Sequence, residues 1–208
     1  MKPLIVANWK CNPDTLKEAK FLFDKVKNLG AVICPPFVYL SSLGKGVFGA
    51  QDVFWQAGGA YTGEISPVML KNLGIKYVIV GHSERRKYQK ETNEIIEKKL
   101  QAALAIGLKP ILCVDKVSQL PRDLQGLIIA YEPLFAIGTG KACSIEKARE
   151  MRIKIEKTAG KNIPILYGGS VNSSNAASYI KEAGFQGLLV GGASLKAVEF
   201  IDIVKKAC

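Results

Sequence analysis

A (β/α)8 barrel, eight parallel strands alternating with helices, is the fold this sequence predicts, and three features lead to it. Eight short runs rich in apolar and β-branched residues recur along the chain: Leu4–Trp9, Ala31–Cys34, Val47–Ala50, Tyr77–Gly81, Ile111–Val114, Leu127–Glu132, Ile163–Gly168 and Leu188–Gly191. Most are continuously apolar rather than alternating, as expected of strands buried on both faces in a parallel sheet. Helical periodicity fills most of the intervals, and strand–helix alternation repeated eight times closes as a barrel. An open doubly wound sheet is the alternative. It calls for a glycine-rich phosphate turn after the first strand, where this chain has Asn8-Trp9-Lys10.

The elements follow in order. After the first run, Asn12-Pro13 reads as a cap with proline at the first helical position, and Leu16, Ala19, Phe23 and Val26 as one helix face. Residues 35–46 leave 12 positions for the next connection, room for a stub near Tyr39–Leu43. Ser66-Pro67 repeats the start signal before Val68–Leu73. Ile96, Leu100, Ala103 and Leu104 mark a longer helix ended by Gly107. Residues 115–126 again leave 12 positions, and Pro121 in their middle predicts a single turn or no helix. Ser144 caps a helix facing inward through Ala148, Met151 and Ile155; Leu195, Val198 and Ile201 mark the last. The expectation is a compact single-domain barrel over residues 1–208, with reduced or missing helices after strands 2 and 5. Its apolar flanks would be bare at both places, and a further subunit contact could cover them.

The chain has 208 residues, 48% of them hydrophobic, enough for one sizeable core. No apolar run approaches the roughly 20 residues of a membrane helix, and no signal peptide is legible, so a cytoplasmic location is expected and membrane association is not. The five cysteines (Cys11, Cys34, Cys113, Cys143, Cys208) form no C-x-x-C pair, and there is a single histidine. That argues for reduced thiols and against zinc or a histidine-activated thiol. The net charge of +11 could draw nucleic acid or a small anion. Only five of 29 basic residues are arginine, and no aromatic cluster accompanies the lysines, so nucleic acid is not expected as a partner.

The active end of such a barrel is at the carboxyl ends of its strands. Strand 1 ends in Asn8 and Lys10, strand 4 in His82, strand 6 in Glu132, strand 7 in Gly168-Gly169-Ser170 and strand 8 in Gly191-Gly192. A carboxylate, an imidazole and an ammonium therefore converge beside two glycine pairs. The set suits proton abstraction next to a carbonyl in a phosphorylated substrate: the carboxylate takes the proton and the donors stabilise the enolate oxygen. Glycine pairs after strands 7 and 8 let backbone N–H groups approach a phosphate. Burial of Glu132 against Tyr131 and Pro133–Ile137 is expected to raise its pKa.

At these residues the chain resembles triosephosphate isomerase. The matching stretches are Asn8-Trp9-Lys10, Cys34-Pro35-Pro36-Phe37, Gly49-Ala50-Gln51, Gly59–Glu64, Gly81–Arg86, Ala130–Pro133, Ala136–Gly140, Tyr167–Val171 and Gly191–Leu195, nine in the order of the family. The resemblance implies interconversion of dihydroxyacetone phosphate and glyceraldehyde 3-phosphate, a step of glycolysis and gluconeogenesis, without metal or cofactor. It implies Glu132 as the carbon base, neutral His82 polarising the carbonyl, and Lys10 stabilising negative charge. Asn8 would bond near the reacting oxygens, and Glu84 would hold the Lys10 ammonium. Arg85 and Arg86 would make structural ion pairs. Pro133–Lys141 would be a closing lid that puts the Gly138 N–H on the phosphate, with Ser170, Gly191 and Gly192 completing the cradle. Residues 51–66 resemble the loop by which the family dimerises, with Thr62 reaching the neighbouring site, so at least a homodimer is implied.

The chain departs from the family in places. Phe135 stands where the lid usually carries tryptophan, keeping an apolar wedge, and Cys113 is followed by Val114-Asp115-Lys116 instead of Gly-Glu. Three other readings share part of the pattern: another phosphate-binding barrel isomerase or epimerase, a basic non-enzymatic binding protein, and an inactive isomerase that has lost helices.

Overall fold

The computed structural model describes residues 2–208. Its strands are β1 (Leu4–Asn8), β2 (Val32–Cys34), β3 (Gly49–Ala50), β4 (Tyr77–Val80), β5 (Lys109–Val114), β6 (Ile128–Tyr131), β7 (Ile165–Tyr167) and β8 (Gly187–Val190). All pair in parallel, in the order β2-β1-β8-β7-β6-β5-β4-β3. The two ends of that order meet at a parallel bridge between Ile33 and Phe48, where the Ile33 N–H donates to the Val47 carbonyl at 2.9 Å. This narrow seam closes the sheet into the barrel that the alternation predicts.

The continuous apolar runs have a direct cause. Val6, Ile79, Ile111, Cys113, Ala130, Leu166 and Leu189 point into the barrel and fill it. Their neighbours Ile5, Ala7, Val78, Val80, Leu112 and Ile129 point outward under the helices. Both faces are thus dry, and no position in a strand can be polar without a partner. Cys34 and Cys113 are buried packing residues, and burial raises both thiols above their ordinary pKa.

The helices are α1 (Leu16–Val26), α2 (Phe37–Leu40), α3 (Pro67–Asn72), α4 (Ser83–Tyr88), α5 (Asn93–Ala105), α6 (Ile145–Ala159), α7 (Ala176–Lys181) and α8 (Ala197–Ala207). Ser66 and Ser144 cap α3 and α6 as read. The cap of α1 is Thr15, not Asn12. Thr15 and Glu18 exchange side chain for backbone bonds in a capping box, whereas the residue three places beyond Asn12 is a threonine with no carboxylate to return. The stub α2 begins two residues earlier than expected. Neither α4 nor α7 was expected, and α4 buries none of its residues, so it has no apolar stripe to find. The buried face of α8 is Phe200, Ile203, Val204 and Ala207; Val198 is 76% exposed, and Leu195 belongs to a preceding 3₁₀ turn. The spacing 200, 203, 204, 207 follows the helical repeat, which the uniform step of three from Leu195 does not.

After β5 the chain makes only a 3₁₀ turn, Val117–Gln119. The flanks there are nevertheless covered. Pro110–Val114 and all of β6 are buried, with Leu124 and Leu127 tucked beneath the loop. Around β2 and β3 the stacked rings of Phe23 and Phe48 (centroids 5.1 Å apart), with Leu40 and Leu43, take the place of a long helix. The expected bare flanks are absent because side chains from within the chain plug them.

One ion cluster lies inside the protein. Lys99 on α5, 3% exposed, bonds Asp52 after β3 at 2.7 and 2.8 Å and Glu91 at 2.6 Å. Arg85 on α4 bonds the same two carboxylates at 2.9 and 2.6 Å. The four charges tie the end of β3 to α4 and α5, and so fix α4 below the barrel mouth. Among the described residues no helix is long and apolar enough to cross a membrane.

Candidate active site

The residues singled out at the strand ends line one cavity. It encloses about 290 Å³ and is bounded by Asn8, Lys10, His82 and Glu132, by Gly138 of the lid segment, and by Ser170, Gly191 and Gly192. Glu84 stands behind, bonded to Lys10.

β1 delivers the first group through strained backbone. Lys10 has φ of 55°, a left-handed conformation uncommon for a side-chain-bearing residue. Two bonds hold it: its N–H donates to Asn8 Oδ1 at 3.0 Å, and its carbonyl accepts from Gln51 Nε2 at 2.8 Å. Gln51 also donates to the Cys34 carbonyl at 2.9 Å, so the ends of β1, β2 and β3 are laced together. The Lys10 ammonium meets Glu84 Oε1 at 2.5 Å.

His82 is the cap of α4. The Glu84 N–H donates to His82 Nδ1 at 3.2 Å, so Nδ1 carries a lone pair and the ring proton is assigned to Nε2. Nε2 lies 3.2 Å from Glu132 Oε1. Burial opposes a charged imidazole, while the Glu132 carboxylate favours it and raises the pKa. The bond at Nδ1 opposes the charge balance, because a second ring proton would face the donated N–H head-on. We assign the neutral ring on that geometry.

Glu132 is 2% exposed at the end of β6. Burial pushes its carboxyl up, as expected from the sequence. Against that act the hydrogen bond from His82 Nε2, the Ser83 N–H at 3.4 Å from Oε2, and the Lys10 charge, and together they hold it below the ordinary carboxylate range. The expected rise is therefore reversed, and the carboxylate is ionised near neutrality. Gly168 leaves it room: a Cβ there would lie 2.9 Å from Glu132 Cγ.

The lid segment follows β6. It opens with a 3₁₀ turn, Leu134–Ala136, and continues through Gly138 and Gly140 at φ of 69° and 72°. Ser170 Oγ donates to the Ala136 carbonyl, fastening the lid to the end of β7. The Phe135 ring is 60% exposed, so it does not pack as the apolar wedge expected of it. The 3₁₀ turn Gly192–Leu195 begins at the cavity, which Gly191, Gly192 and Ala193 line. Arg85 makes the ion pairs expected of it. Arg86 does not: it donates to the carbonyls of Gly81 and Cys113 and to Asn93 Oδ1.

Comparison with known proteins decides the family. A family model for triosephosphate isomerase matches residues 3–122 and 117–207. Triosephosphate isomerase of Thermoanaerobacter pseudethanolicus is 41% identical over 244 residues, covering 98% of each chain. Those of Dehalococcoides mccartyi and Dictyoglomus turgidum are 40% identical over 248 and 246 residues, covering 100% and 98% of this chain and 98% and 99% of theirs. The chain belongs to the triosephosphate isomerase family.

Membership gives the shortened connections a scale. An alignment 244 residues long against a chain of 208 leaves at least 36 positions of the Thermoanaerobacter isomerase without a counterpart. The two matched stretches meet at residues 117–122, inside the connection after β5 that here holds a single turn. Residue types alone did not mark Gln51, α4, or Asn172, which also lines the cavity. Gln51 stood inside a stretch shared with the triosephosphate isomerase family and could have been found there. Among the described residues no group of three or more His, Cys, Asp and Glu is arranged to hold a metal ion.

Proposed function

We propose that Glu132, His82 and Lys10 carry out in this chain the interconversion of dihydroxyacetone phosphate and glyceraldehyde 3-phosphate, the isomerase activity of its family. The observation that supports this most is the 3.2 Å contact between Glu132 Oε1 and His82 Nε2 at the floor of a cavity rimmed by Lys10 and two glycine loops.

A substrate laid across that contact replaces it with two of its own. Its C–H faces Glu132 and its carbonyl oxygen faces His82 Nε2–H. Glu132 takes the proton, the C–H electron pair becomes a carbon–carbon double bond, and the carbonyl oxygen gains the negative charge. His82 and the Lys10 ammonium stabilise that oxygen, with Glu84 and Asn8 holding Lys10 in place. A proton passes from the neighbouring hydroxyl to the charged oxygen, Glu132 returns its proton to the adjacent carbon, the carbon–carbon π pair forms the new C–H bond, and the oxygen that lost its proton becomes the new carbonyl. Gly191, Gly192, Ser170 and, with the lid down, Gly138 hold the phosphate through backbone N–H groups. The lid keeps water from the enediolate.

A homodimer through residues 51–66 belongs to the same reading. The aromatic rings of Phe54, Trp55 and Tyr61 pack at the root of this loop, and residues 56–64 stand exposed beyond it. A second copy seated there would receive Thr62 beside Asn8 and Lys10. The placement is cytoplasmic, in glycolysis and gluconeogenesis.

A coupled assay on dihydroxyacetone phosphate tests the assignment. Glu132→Ala should abolish most turnover, and loss of the His82 donor should cost on the order of 10²–10³ in kcat. Equal rates for wild type and Glu132→Ala would overturn the base assignment. Salt-sensitive duplex binding without isomerase activity would favour the basic binding protein instead.

A further inference from the structure

Much of the net charge of +11 is gathered at one end of the barrel, the end away from the cavity. The parallel strands start there and the helices between them finish there. Lys25, Lys71, Lys157, Lys181, Lys205 and Lys206 stand in the last turns of α1, α3, α6, α7 and α8. Lys2, Lys45, Lys76, Lys109 and Lys161 stand at or just before the first residues of β1, β3, β4, β5 and β7. All of these are exposed, and among the described residues none bonds a carboxylate. Neighbouring segments bring them close. The Lys109 N–H donates to the Lys76 carbonyl at 2.8 Å, and Lys71 Nζ lies 3.5 Å from where a side chain on Gly107 would begin. The acidic side chains at this end, Asp24, Asp123, Glu156 and Glu182, are fewer, and Asp24 and Glu156 already bond Lys27 and Arg152.

Two ordinary causes account for only part of this arrangement. A lysine at a helix C-terminus complements the macrodipole, which covers the first group but not the second, because strands carry no comparable dipole. Steering of an anionic substrate needs the charge at the mouth. β5 alone, six residues long, sets Lys109 about 20 Å from the cavity end, beyond the Debye length of about 8 Å at physiological salt. We propose that this end of the barrel docks reversibly on the anionic surface of a lipid bilayer, with the cavity mouth turned to solvent. The lysines ring the barrel end instead of lining a groove. A plane of headgroups therefore meets them together, whereas a nucleic-acid strand meets only a few. They are ammonium points, without the guanidinium forks or stacked rings that read nucleic acid. Each lysine held near such a surface is worth about fivefold in partition. The expectation of no membrane association rested on spans and leader segments, and neither bears on charge that only the fold collects.

Docking is independent of the isomerase reading, and co-sedimentation with vesicles tests it. The full chain should bind vesicles of phosphatidylcholine with about one third phosphatidylserine, and not phosphatidylcholine alone. Binding should be lost as salt rises from about 0.05 to about 0.5 M. The triple variant Lys76→Glu, Lys109→Glu, Lys161→Glu spares the helix ends and should weaken partition about a hundredfold or more. A control with the same net charge, Lys17→Glu, Lys20→Glu, Lys196→Glu, changes exposed residues toward the mouth end and should lose less than about fivefold. Acetylation of amines in the wild type needs no variant to fold. On anionic vesicles Lys76, Lys109 and Lys161 should be shielded severalfold, while Lys17 and Lys196 stay reactive. No binding at low salt, equal losses in the two triple variants, or equal shielding at both ends would each overturn the proposal. Binding to a short RNA duplex but not to anionic vesicles would overturn it in favour of a nucleic-acid partner.

Discussion

Gly168→Ala puts a methyl group against Glu132, the proposed base. An alanine Cβ at this position would lie 2.9 Å from Glu132 Cγ and 3.4 Å from Oε1. Ordinary carbon–carbon contact is about 3.5–4.0 Å, so the two groups must part by at least about 0.6 Å. The carboxylate has little room to retreat. One oxygen sits 3.2 Å from His82 Nε2, the other faces the Ser83 N–H, and the residue is 2% exposed. Whichever side yields, carboxylate and imidazole lose their register, and a displacement approaching 1 Å costs about 10²-fold in rate. The expected result is a kcat about 10²-fold lower, with KM raised as well, because Gly168 opens the loop that carries Ser170. The overpacking should also cost about 1–3 kcal/mol in urea unfolding. A double-mutant cycle isolates the cause. In Glu132→Ala there is no Cγ to strike, so adding Gly168→Ala should cost almost no stability. A Gly168→Ala variant with wild-type kcat, or one whose stability loss persists unchanged in Glu132→Ala, would refute the reasoning.

Three further outcomes follow from the same structure. Lys99→Met strands Asp52 and Glu91 in the interior with only Arg85 between them, and unfolding in urea should show a loss of about 3–5 kcal/mol. Thr15→Ala removes the capping box of α1 and should cost about 1 kcal/mol in the same measurement. On the proposed mechanism activity requires ionised Glu132, whose folded-state pKa is depressed, so kcat/KM should hold above the ordinary carboxylate value and fall only as pH drops through the lower folded one. In His82→Ala Glu132 loses the hydrogen bond from Nε2, its burial is less opposed, and the acid limb of the residual activity should move toward neutral pH; an unmoved limb would contradict the coupling.

The barrel was legible because its strands are buried on both faces, which forces runs such as Tyr77–Val80 and Ile111–Val114 to be apolar throughout. The site was legible because strand ends are where such runs stop, and Lys10, His82 and Glu132 each stand at a stop. Other features left no such mark. α4 has no buried face, so no periodicity announces it, yet its first N–H groups set the tautomer of His82. The direction of the Glu132 shift depends on a contact between residues 50 positions apart, and burial alone points the wrong way. The face of α8 was misplaced because Leu195, an apolar residue outside the helix, offered a false start. Nothing local to Tyr179 or Cys143 says that the Tyr179 hydroxyl donates to the Cys143 carbonyl; the stacking of Tyr179 of α7 on Tyr167 at the end of β7 brings them together.

The shortening of this barrel falls where the chemistry can tolerate it. The residues that line the cavity come from the ends of β1, β4, β6, β7 and β8; none of them follows β2, β3 or β5. The two reduced connections follow β2 and β5. A helix at such a place serves the strand beneath it by excluding water, and that service requires apolar volume rather than helical backbone. Phe48, with Phe23 of α1, and Leu124 with Leu127 supply it from the shortened connections themselves. The connection after β3 does not line the cavity either, but it bears Gln51, which holds the Lys10 carbonyl, and Asp52, which anchors the ion cluster beneath α4. The same logic therefore separates two kinds of non-lining connection. Those that only cover a strand can be replaced by a few side chains, and those that hold a lining residue in a strained conformation must keep their backbone.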